Sequence, residues 1–179
     1  MGLRQAVIFD VDGTLVDSNN AHARAWEEGI PRPGSPRALQ VRAFPGAAEL
    51  VAALKRSGLK LAVASSAEKE ELEPLLERAG AADLIEHKAS SDDAGRSKPD
   101  PDIVPAARRR LGMPASDVVM IGDTRYDMEA AARAGIAAIA FRGGGSDDEA
   151  LKGAREIYDG PATCSTGWGS RCWPARVAT

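Results

Sequence analysis

Asp10 and Asp12 stand one residue apart where the apolar run Ala6-Val7-Ile8-Phe9 ends, and Gly13 follows at once. On a continuing strand, residues i and i+2 share a face. Both carboxylates would then converge at the carboxyl end of a strand, where open α/β sheets bind ligands. Carboxylates that close repel each other unless one is protonated or a cation lies between them. A hard divalent ion with oxygen ligands, most simply Mg²⁺, answers that repulsion. The competing reading is a strand closed by an Asp-x-Asp-Gly turn. Three later segments carry polar groups of the same kind: Ser65, the loop Ser97-Lys98-Pro99, and Gly122-Asp123 followed by Asp127. Each has an ordinary alternative. Ser65, with Ser66 as its competitor, suits a helix N-cap, Lys98 a solvated surface lysine, and Asp127 an acidic residue near a helix start.

The elements around these residues alternate between strand and helix. Apolar runs predict buried strands at the start of the chain, over 59–64, near 84–87, and over 118–121 and 136–141. Helical spacing predicts helices over 21–28, 47–57, 67–79, 101–111 and 127–134, several closed by a glycine at C′. Pro105 is expected to cost the fourth of these a backbone bond. The fold class is therefore α/β, a Rossmann-like, doubly wound and mostly parallel sheet. Residues 30–45 begin Ile-Pro-Arg-Pro-Gly-Ser-Pro and read as a linker. The tail from Thr163 has no periodicity and holds two of the three tryptophans. Read one frame over, codons compatible with this tail give an amphipathic helix beginning Asp-Leu-Leu-Asp-Arg-Leu, so the tail is read as a frameshifted terminal helix.

Composition narrows the function classes. The chain has 179 residues and a net charge of −3, so no basic surface argues for nucleic acid and no polybasic segment for a membrane. No apolar run is long enough to cross a bilayer, and the first strand begins too early to leave room for a signal peptide. Cys164 and Cys172 lack a neighbouring histidine for a zinc site and read as free thiols of a cytoplasmic protein. Gly143-Gly144-Gly145 reads as a flexible turn, because it lacks the lysine and helix start of a phosphate loop.

Taken in order, Asp10-Val-Asp12-Gly13-Thr14, Ser65, Ser97-Lys98-Pro99 and Gly122-Asp123-Thr-Arg-Tyr-Asp127 resemble the haloacid dehalogenase superfamily, in its phosphatase and phosphomutase branch. The resemblance implies that Asp10 is a nucleophile and Asp12 a general acid and base. Mg²⁺ would be held by the Asp10 carboxylate, the Asp12 carbonyl and Asp123. Ser65 would hold phosphoryl oxygens, Lys98 would balance their charge, and Asp127 would act behind the metal ligands. The implied substrate is a small-molecule phosphate ester. Dehalogenation is disfavoured by the presence of Asp12. A phosphomutase of the β-phosphoglucomutase type is the alternative enzyme, with Gly122 in place of its usual glutamate counting against it. His22, four residues before Trp26, matches a feature of the mutases, and His87 reads as structural. The branch normally inserts a helical cap after the first motif. Here residues 18–44 form only a cap stub and linker between the core segments 1–17 and 45–160, and 161–179 form an irregular tail. A cap-deleted remnant that binds Mg²⁺ or phosphate without turnover is the rival outside enzymes.

Overall fold

The computed structural model describes residues 4–18, 41–90 and 103–167. Six parallel strands form one sheet: β1 (Ala6–Phe9), β4 (Lys60–Ala64), β5 (His87–Ala89), β6 (Val118–Gly122), β7 (Ala137–Phe141) and β8 (Glu156–Tyr158), in the order β5-β4-β1-β6-β7-β8. Two-residue strands β2 (Val16–Asp17) and β3 (Arg42–Ala43) make a separate antiparallel ribbon. Among the described residues the α-helices are α1 (Ala47–Arg56), α2 (Lys69–Arg78), α3 (Ile103–Leu111), α4 (Arg125–Arg133) and α5 (Pro161–Gly167).

The period of two along each central strand sorts its side chains onto opposite faces. Val7, Phe9, Leu61, Val63, Val119 and Ile121 pack with Leu50, Val51 and Leu54 of α1 and Leu72, Leu75 and Leu76 of α2. Ala6, Ile8, Ala62, Ala64, Ala138 and Ala140 face the other way, toward Ile103, Val104, Ala107 and Leu111 of α3 and Met128 and Ala131 of α4. Helices on both faces are what parallel strands require, since βαβ crossovers cover both surfaces. Among the described residues, no helix is long and apolar enough to cross a membrane.

The strand–helix alternation is as the sequence predicts, but the edge strand β8 is not among the expected strands and three further regions differ. The strand expected near 84–87 is displaced toward the carboxyl end and lies at His87–Ala89, sharing only His87 with that segment. Its chain position follows from pairing, because Ala62, Val63 and Ala64 of β4 face His87, Lys88 and Ala89. Residues 41–44 are not linker: Val41 is buried, Arg42–Ala43 pair with Val16–Asp17, and the Phe44 amide donates to the Leu15 carbonyl at 3.0 Å. The exposed Arg42 and Ala43 side chains hide this strand from any hydropathy pattern. The expected irregular tail begins as a helix. Pro161 takes its first position, the Gly160 amide donates to Thr163 Oγ1 at 3.1 Å, and Cys164 is buried in the α1 face of the core. The segment of 18–44 from 19 to 40 (with the 21–28 helix, His22 and Trp26), the 91–102 loop with Lys98, and residues 168–179 lie outside the described residues.

Candidate active site

The first motif is held at the centre of the sheet. Asp10 follows β1, and its amide donates to the Ile121 carbonyl at 2.8 Å, extending the ladder one step toward the end of β6. The chain then turns. Amides of Leu15 and Val16 converge on the Val11 carbonyl, and the Gly13 amide donates to Val16 at 2.8 Å. Gly13 makes this turn at φ 80°, in the left-handed region that suits glycine. The strand therefore ends before Asp12, and the sharing of one strand face by Asp10 and Asp12 is not what brings carboxylates together.

The partners of Asp10 come from β6 and α4. Ligand atoms of Asp10, Asp123 and Asp127 all lie within 4.8 Å of one another, and all three residues are buried. The Asp12 carboxylate, half-buried in the turn, is not part of this group. Asp127 reaches it as part of a capping box. Its Oδ2 accepts from the Thr124 amide at 3.0 Å and hydroxyl at 2.6 Å and from the Asp123 amide at 3.3 Å, while its own amide donates to Thr124 Oγ1. Such reciprocal capping fixes the first turn of α4. Gly122 makes room for this arrangement, since a Cβ there would lie 2.5 Å from the Asp127 Cβ.

Asp123 is oriented by residues from distant segments. Thr14, fully buried, donates its hydroxyl to Asp123 Oδ1 at 3.1 Å. On the other side, a Cβ on Gly13 would lie 2.1 Å, and one on Gly144 1.6 Å, from Asp123 Oδ2. Residue type alone does not assign these roles to Thr14 or Gly144; Thr14 stands in the first motif, and Gly144 is marked only by its place beside a strand end.

Ser65 ends β4, the strand next to β1, and is fully buried, whereas Ser66 is exposed. Its amide donates to the Ala89 carbonyl at 3.0 Å and its Oγ accepts from the Ala67 amide at 3.1 Å. It is not the N-cap of α2, which begins at Lys69 behind Glu68.

Three buried carboxylates in so small a volume suit a hard divalent cation with oxygen ligands. Their place beyond the carboxyl ends of β1 and β6 is where open parallel sheets hold ligands.

Comparison with known proteins agrees with this geometry. Residues 35–141 match the profile of the haloacid dehalogenase-like hydrolases. The probable phosphatase IndB of Dickeya dadantii is 38% identical over 111 residues, covering 62% of this chain and 48% of that protein. Protein CbbY of Cereibacter sphaeroides is 26% identical over 210 aligned positions, more than the 179 residues of this chain, covering 87% of this chain and 91% of that protein. A HAD family hydrolase from Deinococcus radiodurans R1, solved with bound phosphate and sodium, superposes with a TM-score of 0.81 at 25% identity, over 94% of this chain and 96% of that one. The chain spans less than two thirds of the length of several curated relatives that it matches, about half in the case of IndB. With the family profile running over more than half of its length, through to the end of β7, the chain belongs to the haloacid dehalogenase-like hydrolases.

Proposed function

We propose that the protein is a Mg²⁺-dependent phosphatase that hydrolyses small phosphorylated metabolites through a phosphoryl group carried on Asp10. The observation that carries this reading is the convergence of Asp10, Asp123 and Asp127 within 4.8 Å. The Asp10 and Asp123 carboxylates and the Asp12 carbonyl would hold the metal, with Asp127 behind them. The cation would screen the negative phosphoryl group from the attacking carboxylate. An Asp10 oxygen attacks phosphorus and the bond to the leaving oxygen breaks, while Asp12 donates its proton to that oxygen. Asp12 then takes a proton from water, whose oxygen attacks the same phosphorus and releases phosphate and the Asp10 carboxylate. Ser65 would donate to a phosphoryl oxygen, and Lys98 would supply positive charge. Similarity to the probable phosphatase IndB and to a hydrolase solved with bound phosphate supports a phosphate ester as the substrate.

Gly122 favours hydrolysis over a mutase-like site. A glutamate at this position would place its Cβ against Asp127, so the present capping box and such a side chain exclude each other. Residues 18–44 are read as the remainder of a shortened cap, in keeping with an alignment to CbbY that is longer than this chain. A soluble, cytoplasmic enzyme is the corresponding reading. The test is hydrolysis of p-nitrophenyl phosphate with Mg²⁺ or with EDTA, by the wild type and by Asp10→Asn. Turnover should require Mg²⁺ and fall on the order of 10⁴-fold in the variant. A folded wild type without turnover would support the non-catalytic alternative.

A further inference from the structure

We propose that the turn after β7, with Gly144 at its centre, is a positioning element for the Asp123 carboxylate, and so sets the metal affinity of the site proposed above. The turn runs through Arg142–Gly144 and closes with Gly145 at φ 88°. Read as a run of three glycines it looks merely flexible, but its neighbours are specific. Gly144 lies so near Asp123 that an added Cβ would fall 1.6 Å from Oδ2, well inside contact distance. One residue earlier, a Cβ on Gly143 would lie 3.1 Å from Phe44 Cζ and 3.2 Å from the Gly13 carbonyl oxygen. The turn therefore presses at once on a carboxylate of the site, on the first-motif turn and on the residue that follows β3.

The opposite side of Asp123 is held by Thr14, whose hydroxyl donates to Oδ1. The Thr14 hydroxyl on Oδ1 and the close approach of the turn to Oδ2 together restrict the orientation of the carboxylate. Removing groups that orient metal ligands typically costs 10- to 100-fold in affinity.

Arg142 anchors the turn. Its Nε and Nη2 donate to the Asp148 carboxylate at 2.7 and 3.0 Å, and its Nη1 donates to Asp159 at 2.7 Å. The hydrogen bond from Arg142 holds the Asp148 carboxyl below its usual range. This pairing is complete above the ordinary carboxylate range and lost only as pH falls through the lowered value. A bidentate guanidinium–carboxylate pair fixes the mutual geometry of its groups, and here it ties the turn to Asp148 and Asp159.

The experiment measures the Mg²⁺ dissociation constant by calorimetry on the full chain, with no substrate present. Gly144→Ala should bind Mg²⁺ about tenfold or more weakly than wild type. Gly160→Ala is the control, because a Cβ there meets nothing within 4 Å, and it should bind as wild type does. A folded Gly144→Ala with wild-type affinity overturns the proposal. If that variant does not fold, Arg142→Gln decides: the exposed clasp is lost while the glycines remain, and affinity should fall severalfold. Unchanged affinity in Arg142→Gln would then overturn the proposal. The proposal rests on the metal-site reading, and the two fail differently. Absence of Mg²⁺ binding in the wild type rejects the metal site itself, whereas normal binding in both wild type and the turn variants rejects only the role of the turn.

Discussion

At the end of β6, Asp123 and Asp127 are held by a capping box, a buried threonine from the first motif and glycines from two other segments. At the end of β4, Ser65 is held by its own amide bond to β5 and by the Ala67 amide two residues on. The first arrangement joins a local capping box to first-motif residues more than a hundred positions away in sequence, and the second draws only on the approach to the next helix and the neighbouring strand. A carboxylate that must share a small volume with two others needs its orientation imposed from outside, because repulsion would otherwise turn it away. A hydroxyl that hydrogen-bonds a phosphoryl oxygen can rotate to suit, so a buried place at a strand end is enough. The β6 side should therefore govern metal affinity and most of the stability, and the β4 side chiefly turnover.

The largest difference between the two sides should appear on substitution of Ser65. Ser65→Ala is expected to lower kcat/KM about 100-fold, as loss of one preorganised donor does. Its Mg²⁺ affinity should match wild type, with stability lower by only about 1 kcal/mol. Calorimetry and aryl phosphate kinetics on the same preparation check both. A parallel loss of Mg²⁺ affinity would break the division.

Asp127 should behave in the opposite way. Asp127→Ala strips three donors of their acceptor at a buried helix start, which should cost about 2 kcal/mol in urea unfolding. It should also weaken Mg²⁺ about tenfold. Asp127→Asn keeps an acceptor for those donors while removing the charge, so it should regain most of the stability and none of the metal affinity. If Asn restores both, Asp127 serves only as a cap.

A smaller effect is expected in substrate choice. Remote contacts normally orient a substrate and favour its transition state, and a shortened cap supplies few of them. Small and bulky phosphate esters should then differ in kcat/KM by no more than about tenfold. Grafting a relative's cap between Glu28 and Val41 should restore preference for a small ester. Sharp preference in the present chain would show that the segment 30–45 acts as a lid.

Much of this division was legible in the sequence, and the exceptions have physical causes. The strands β1, β4, β6 and β7 and the helices between them are long enough for periodicity to show, and the motif residues sit at their ends. The ribbon of β2 and β3 and the edge strand β8 are two or three residues each, too short for any period, and their existence depends on partners distant in sequence. Asp10 and Asp12 suggested a pair by spacing alone. The strand ends before Asp12, whose carboxylate is not in the group, and the carboxylates that meet Asp10 come from 113 and 117 residues further along the chain. Gly144 shows the same limit. A glycine required by close backbone approach looks, one residue at a time, like a glycine in a loose turn.

The central claim is that Asp10 carries the phosphoryl group between two chemical steps. Rapid acid quench of the enzyme during turnover of p-nitrophenyl phosphate with Mg²⁺, followed by proteolysis and mass spectrometry, tests it directly. One phosphoryl group on the peptide containing Asp10, absent in Asp10→Asn, is the result expected. Sustained turnover with no phosphorylated peptide, or with the group on another residue, would contradict it.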